Sequence, residues 1–303
     1  MTDVSRNKFD RTFMKITIVF LWPVICLFTS NSEANNLYFQ KGFAIVRLSE
    51  STNRADTIWK SPFRLYDVSV SQDGQFICFT RYENEKVTGR GREVGIFSVK
   101  ERKISMINSG AGQNFGAVIS PNNRLVAFNY NLGHIWKTGI FDRMSESMIY
   151  DVDTNFVMDW RSDSLLLFAS FDGVIQKNLK DSSTRLYGIP DTNLMGIAIP
   201  GIRLLILSDS IYFFQCLNLK TSIGSFEGPP DNVFIVRNGR VTPLIQGKIS
   251  AEYCYLSTGL LYVQYSDFSS PRKGKEHLLV FDSLHDKRYS IRLLGDLVGV
   301  SNE

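Results

Sequence analysis

One pattern recurs along the chain and narrows what it can fold into: an apolar run, a short polar turn, and a second apolar run. It first appears over residues 65–80, where Leu65-Tyr66-Asp67-Val68-Ser69-Val70 leads through Ser71-Gln72-Asp73-Gly74-Gln75 into Phe76-Ile77-Cys78-Phe79-Thr80. Asp-Gly between apolar runs is a strong hairpin signal, because such a turn needs residues that tolerate positive φ. The pattern returns over residues 117–128, with Ser120-Pro121-Asn122-Asn123 as its turn, and over residues 157–168, with Ser162-Asp163-Ser164. Weaker copies span residues 197–207 and 253–265. In Phe76-Ile77-Cys78-Phe79 and Leu165-Leu166-Leu167-Phe168 the polar–apolar alternation disappears, as it does in strands that pack on both faces.

A second pair of apolar runs follows each hairpin. The pairs are residues 94–99 and 104–107, 138–141 and 147–150, 173–178 and 184–187, 211–217 and 222–226, and 278–281 and 289–293. The turns at Asp73, Asn122, Asp163 and Ile202 are spaced by 49, 41 and 39 residues. Four strands in roughly 45 residues is the length of a propeller blade. The expected fold is therefore all-β, a β-propeller of four-stranded blades. Six blades are expected, or seven if the hairpin at residues 233–236 and 241–245, joined by Arg237-Asn238-Gly239-Arg240, is a degenerate blade. A lone strand at residues 297–301 and an N-terminal set at 37–59 that lacks one strand predict a ring closed by the two chain ends. In that closure residues 297–301 pair with residues 37–40.

At the N-terminus, Arg6, Lys8, Arg11 and Lys15 flank an apolar run at residues 16–28, and Ser32-Glu33-Ala34 puts small residues where a signal peptidase reads. This succession predicts a cleaved signal peptide over residues 1–34 and a single propeller domain over 35–303, with a periplasmic or secreted product; an uncleaved anchor is the alternative. The apolar run is shorter than the roughly 20 residues that a membrane-spanning helix requires, so no transmembrane span is expected in the mature chain. Cys78, Cys216 and Cys254 then remain. An odd count argues against a full disulfide framework, and each reads as a small buried hydrophobe.

The turn motifs resemble those of TolB-like, WD-type β-propellers, in which Ser-Pro-Asp-Gly precedes an apolar strand ending in Phe. Ser71-Gln72-Asp73-Gly74 before Phe76–Phe79 and Ser120-Pro121-Asn122-Asn123 before Leu125-Val126-Ala127-Phe128 are similar to that pattern. The likeness is good over residues 66–168 and loose elsewhere; Pro200-Gly201-Ile202 and Ser257-Thr258-Gly259 lack the acidic turn residue. Propellers of this kind serve as periplasmic or extracellular binding scaffolds and as domains of peptidases, so the resemblance implies a fold more than an activity.

Motifs for catalysis are sparse. His134, His277 and His285 form no HxH or HExxH pair, and no Gly-x-Ser-x-Gly elbow occurs. No catalytic residue, metal ligand or cofactor is therefore expected. Asp151-Val152-Asp153-Thr154-Asn155 starts like a calcium loop, but Phe156 stands where glycine is required and Ser162 where the bidentate glutamate belongs; it reads as a turn between blades. Gly89-Arg90-Gly91-Arg92 lacks the strand-to-helix context of a phosphate cradle and reads as a surface loop. Asp67 and Asp159 lie inside strands at blade starts, where carboxylates line a central channel or bond backbone groups at its mouth.

The net charge of +4 is too mild and too scattered to indicate nucleic acid. The basic residues do gather in the loops expected between second and third blade strands. The loop at residues 81–92 carries Arg81, Lys86, Arg90 and Arg92. The loop at 129–137 carries Tyr130, His134, Trp136 and Lys137, and that at 267–276 carries Arg272, Lys273 and Lys275. Ring closure puts these on one face, where basic and aromatic side chains suit an acidic partner. The expected function is a non-enzymatic protein-binding scaffold of the bacterial envelope. Its expected partner is an envelope or secreted protein with an acidic surface, or an anionic glycan or lipid headgroup. The alternatives are a propeller enzyme of lactonase or glycoside-processing type with an axial pocket, which would need several convergent carboxylates or histidines, and a glycan- or lipid-headgroup-binding module.

Overall fold

A computed structural model describes residues 35–83, 91–133, 135–153, 156–170, 173–188, 194–195, 203–208, 210–218, 231–245, 249–268, 275–282 and 287–302. All of them belong to one compact unit, Ala34–Glu303. Among them the regular structure is strand throughout, and no helix is long and apolar enough to cross a membrane.

The chain begins with β1 (Asn35–Lys41), β2 (Ala44–Ser49) and β3 (Arg54–Lys60). It continues through β4 (Tyr66–Val70), β5 (Phe76–Tyr82), β6 (Arg92–Ser98), β7 (Lys103–Ile107), β8 (Gln113–Ile119), β9 (Leu125–Leu132), β10 (Ile135–Asp142) and β11 (Ser147–Asp153). Then come β12 (Phe156–Ser162), β13 (Leu165–Ser170), β14 (Gly173–Asn178) and β15 (Thr184–Gly188). The next group is β16 (Leu194–Met195), β17 (Arg203–Ser208), β18 (Ile211–Asn218), β19 (Asp231–Arg237) and β20 (Arg240–Pro243). The last strands are β21 (Ile249–Ser257), β22 (Leu260–Asp267), β23 (Lys275–Asp282), β24 (Lys287–Ile291) and β25 (Asp296–Asn302).

The all-β propeller is present, but the expected six or seven independent blades are not. Four sheets stand alone as blade-sized units: β25-β1-β2-β3, β12 to β15, β16 to β20, and β21 to β24. The eight strands β4 to β11 are hydrogen-bonded into a single sheet. The join is one parallel bridge, Arg92 to Gln113. It is braced by the Gly91 N–H donating to the Gly112 carbonyl at 3.1 Å and the Asn114 amide donating to the Arg92 carbonyl at 3.2 Å. Turn spacing cannot show such a bridge, which forms between strand starts that read as loop. The seventh-blade reading of residues 233–245 is corrected too. β19 pairs with β18 from Ile211↔Arg237 to Leu217↔Asp231, so this hairpin is the outer part of an existing sheet. The strand expected at residues 222–226 lies outside the described residues.

The repeated turn works as its residues suggest. Ser71 Oγ donates to Asp73 Oδ1 at 2.7 Å and accepts the Phe76 N–H at 3.0 Å, while Asp73 Oδ1 accepts the Gln75 N–H at 3.0 Å. Ser120, Asn122, Arg124 and Leu125 repeat these bonds at 2.8, 3.0 and 2.9 Å. Short polar side chains that close on nearby backbone in this way fix a turn without help from the core. Gly74 (φ +69°) and Asn123 (φ +61°) take the left-handed position in the two copies. A Cβ on Gly74 would also sit 2.1 Å from the Tyr38 hydroxyl. The turns hold one another as well: Asn123 Nδ2 donates to Asp73 Oδ2 at 2.6 Å, and the Asn122 N–H donates to Asp163 Oδ1 at 2.8 Å.

Apolar clusters run from each sheet to the next. Leu37, Phe39 and Leu48 pack on Tyr262, Leu278 and Val280; on the other side of the first sheet, Tyr38, Ile45 and Trp59 pack on Ile77, Phe79 and Phe97. The two halves of the eight-stranded sheet pack on each other through Cys78, Val94 and Ile96 against Val126 and Phe128. Ala127 and Ile140 meet Trp160, Leu166 and Phe168; Leu167 and Tyr187 meet Phe214 and Phe234; Phe213 and Val233 meet Leu261 and Val263. The circuit closes as expected from the sequence: β25 pairs antiparallel with β1, Leu37 with Val300 and Phe39 with Leu297. Cys78 and Cys254 are buried.

Candidate functional site

The leading strands surround the axis: β25 neighbours β4, β4 neighbours β8, β8 neighbours β12, and β21 neighbours both β17 and β25. All six carry a register shift: β25, β4, β8, β12, β17 and β21. A bulge leaves backbone groups off the ladder, and here the sheet behind supplies a partner. Gln40 Nε2 donates to the Leu65 carbonyl at 3.0 Å, Thr80 Oγ1 accepts the Gly116 N–H at 3.3 Å, and Asn129 Oδ1 accepts the Val157 N–H at 2.9 Å. Gln215 Nε2 donates to the Ala251 carbonyl at 3.1 Å, and Gln264 Oε1 accepts the Leu297 N–H at 2.7 Å. All five side chains follow the second-strand residues Phe39, Phe79, Phe128, Phe214 and Val263. They form a belt of polar ties, which run between sheets except for that of Thr80, which joins the two halves of the eight-stranded sheet.

Asp67 stands where this belt meets the axis. It is exposed to solvent, and its φ of +44° lies in the left-handed region, as does Gly116 (φ +63°), the residue at the same distance before the next turn serine. A non-glycine residue there stores strain of order 1 kcal/mol or more. Burial among the surrounding strands pushes the Asp67 carboxyl above the ordinary carboxylate range. Bonds from Thr80 and the Gly116 N–H and the charge of Arg92 act the other way.

Arg92, at the start of β6, is near enough for its charge to act on the Asp67 carboxyl. Its guanidinium carbon lies 5.5 Å from the Tyr82 ring centre and 5.3 Å from that of Phe115. Its Nε is buried without a hydrogen-bond partner, and it forms no ion pair among the described residues. Aromatic rings extend to both sides. Tyr66 meets Tyr82 edge-on at 4.8 Å, with Arg64 5.2 Å over Tyr66. Phe115 meets Trp136 edge-on at 5.4 Å and Phe156 at 6.1 Å. Tyr66, Phe115 and Phe156 come from three leading strands, Tyr82 and Trp136 from the strands behind. All five rings are partly exposed. The result is one cation fixed between rings at the mouth of the axis, beside a strained carboxyl.

Of the residues predicted from the sequence, the structure brings only some together. Arg81 and Arg92 are strand ends, not loop residues, and they point to opposite faces of the sheet. Arg81 pairs with Glu93 at 2.7 Å and lies 4.9 Å over Phe63. The long loop expected at residues 129–137 is largely hairpin, since β9 runs to Leu132 and β10 starts at Ile135. Tyr130 is buried and donates to Asp151 Oδ2 at 3.1 Å; Lys137 pairs with the same oxygen at 3.0 Å. Asp151 is thus a strand residue holding two neighbours, not part of a turn. Among the described residues predicted in that loop, Trp136 joins the rings beside Arg92. Lys86, Arg90, His134, Arg272 and Lys273 lie outside the described residues, and so does the side chain of Lys275. Asp159 lies in β12 and accepts the Trp160 N–H at 2.8 Å.

The reading from sequence missed Tyr66, Tyr82, Phe115 and Phe156. A signal was present, because Tyr66 and Phe115 each stand five residues before the turn serine, and Phe156 six. A second cleft, of about 420 Å³, lies at the outer rim between Thr57, Trp59, Lys60, Phe97, Arg102 and Ile104. Its Arg102 is already engaged with the Ile58 carbonyl and the Phe97 ring.

No known family model matches the chain, and no curated protein matches it. Solved structures do. TolB from Acinetobacter baumannii matches with a TM-score of 0.61 at 10% identity, over 98% of this chain and 73% of its own. A putative TolB from Agrobacterium tumefaciens gives 0.59 at 10% identity, over 88% and 91%. A puromycin-hydrolyzing peptidase from Mycobacterium tuberculosis gives 0.55 at 11% identity, over 85% of this chain but 42% of its own. The fold is a β-propeller shared with TolB. At these identities the likeness is one of fold, and it extends to a peptidase as readily as to the two TolB chains. Among the described residues no three His, Cys, Asp or Glu side chains gather as a metal set.

Proposed function

We propose that the protein is an exported, non-enzymatic binding module that receives an acidic segment of an envelope or secreted protein at the mouth of its propeller axis. The observation that carries this reading is Arg92, held between Tyr82 and Phe115 with a buried Nε lacking a partner. A guanidinium braced by rings has lost its conformational freedom before a ligand arrives, and a planar fork suits a carboxylate. The partly exposed rings of Tyr66, Phe115, Trp136 and Phe156 supply apolar area around it, which is the anatomy of a binding hot spot. Export is supported by the basic, apolar and small-residue order before Asn35 and, as analogy only, by the TolB-like fold. Lys86, Arg90, Arg272, Lys273 and Lys275 belong to the proposal as a basic surround.

The test uses the exported protein and three probes: a glutamate-rich peptide, an anionic polysaccharide, and vesicles of phosphatidylglycerol. The peptide is expected to bind in a salt-sensitive way, about tenfold more weakly to Arg92→Ala. Joint replacement of Arg90, Arg92, Lys273 and Lys275 by Ala is expected to remove most of the salt dependence with folding intact. Equal peptide affinity of the Arg92→Ala variant and the parent at low and high salt would overturn the reading. Preference for the polysaccharide or the vesicles would reassign the partner.

A further inference from the structure

We infer that cleavage between Ala34 and Asn35 completes an ion pair that locks the ring, in which the new α-ammonium group of Asn35 pairs with the Glu50 carboxylate where the first and last sheets meet. Asn35 is fully buried. Its backbone N–H donates to Glu50 Oε2 at 3.2 Å, and the Tyr262 hydroxyl donates to the same oxygen at 2.7 Å. The Asn35 amide donates to Tyr262 Oη at 2.8 Å and Thr258 Oγ1 at 3.2 Å. Ser257 Oγ bonds Asn35 Oδ1 and Asn302 Oδ1, each at 2.9 Å. The Glu50 N–H donates to the Asn35 carbonyl at 3.0 Å. One residue therefore ties together the end of β2, the β21–β22 turn and β25. A half-buried carboxylate facing the nitrogen that a signal peptidase would free is the second, independent observation beside the Ser32-Glu33-Ala34 pattern.

The chemistry is peptide hydrolysis by a signal peptidase. Water adds across the Ala34–Asn35 amide, the carbonyl carbon takes the hydroxyl and becomes a carboxylate, and the nitrogen leaves as an amine that takes up a proton. An amide N–H offers Glu50 one neutral bond. An ammonium offers three donors and a full charge to a carboxylate that Tyr262 already orients, and charge-assisted bonds are about twice as strong as neutral ones. The buried position also sets the order of events, because a protease can reach this bond only before β1 joins the sheet. Glu50 is felt by its neighbours: burial first, then Glu50 and Asp282, push the Tyr289 hydroxyl up to about 12.

Mass spectrometry of the exported protein is expected to find Asn35 as the first residue. Melting temperatures are then compared for processed chains and for chains whose cleavage is blocked by Ala34→Arg, each with and without Glu50→Gln. Loss of the Tyr262 bond is common to both backgrounds; the ion pair is not. Glu50→Gln is expected to cost the processed chain about 2–4 °C more than the blocked one. If the blocked chain does not fold, one alanine inserted between Ala34 and Asn35 restores an amide at Asn35 after cleavage and takes its place. A different mature terminus, or equal cost of Glu50→Gln in the two backgrounds, would overturn the inference. Neither readout involves ligand binding, so failure here leaves the Arg92 site standing.

Discussion

Asp67 occupies a backbone conformation that the next repeat assigns to Gly116, and it does so with a carboxyl whose charge the site disfavours. Both features cost stability, and strained, electrostatically unsettled residues gather where proteins bind ligands. The pH dependence follows. With the folded pKa raised above the unfolded one, the folded state holds the proton more tightly. Its contribution is fully present below the unfolded value and is lost as pH rises through the raised one. Asp67→Asn keeps the shape and removes the charge. At neutral pH the variant is expected to melt above the parent, and the gap is expected to close as pH falls into the ordinary carboxylate range. Arg92→Ala in the parent is expected to widen that gap, since the Arg92 charge, after the Thr80 bond and with that from the Gly116 N–H, lowers the Asp67 pKa. Melting curves across that interval decide it: a gap that stays constant with pH would mean that Asp67 titrates as a free aspartate does.

At the scale of strands, the ties between sheets explain how leading strands with bulges stay in place. Asn129 is the clearest: its Oδ1 accepts the Val157 N–H at 2.9 Å and the Thr138 hydroxyl at 3.2 Å, all of them buried. Asn129→Leu leaves the buried Val157 N–H without its acceptor at a cost of about 1–3 kcal/mol. It is expected to speed amide hydrogen exchange in β12 more than in β9. Uniform destabilisation without that bias would mean that Asn129 matters only to its own sheet. These ties also show what the sequence could carry. The hairpins were legible because Ser71, Asp73, Ser120 and Asn122 act on backbone a few residues away. Thr80, Asn129 and Gln264 were not, since each acts on a strand beyond its own hairpin, in the other half of the eight-stranded sheet for Thr80 and in the next sheet for the other two, and looks like any polar residue after an apolar one. The Arg92–Gln113 bridge was hidden for the same reason, and its effect was to merge strands that turn spacing had divided. Arg92 was legible as a basic residue, but the five rings around it come from five other strands, β4, β5, β8, β10 and β12. Arg81, equally basic and in the same stretch, stands on the opposite face of the sheet, because Arg81 pairs with Glu93 and Arg92 with Tyr82 and side chains alternate along a strand.

For the whole molecule, the decisive contact is between the chain ends. β25 is the leading strand of the first sheet and contributes Leu297, Val298 and Ser301 to the interior. It touches more than its own sheet. Tyr38 Oη and Ser301 Oγ share a bond of 3.3 Å, the Asn302 N–H donates to the Gln72 carbonyl at 3.2 Å, and a Cβ on Gly299 would meet Val70 at 2.6 Å. Removing residues 297–303 therefore opens the edge of β1, leaves Gln264 Oε1 without the Leu297 N–H, and strips apolar cover from β4. Each buried aliphatic side chain lost costs about 2–5 kcal/mol, and 1 kcal/mol moves the melting temperature of a domain this size by about 2 °C or more. A fall of more than about 10 °C, or failure to fold, is expected on calorimetry. A peptide of residues 296–302 supplied in excess is expected to restore part of the loss, because it can refill an edge whose hydrogen-bond partners are already ordered. An unchanged melting temperature after truncation would mean that the sheets hold their ring by lateral packing alone.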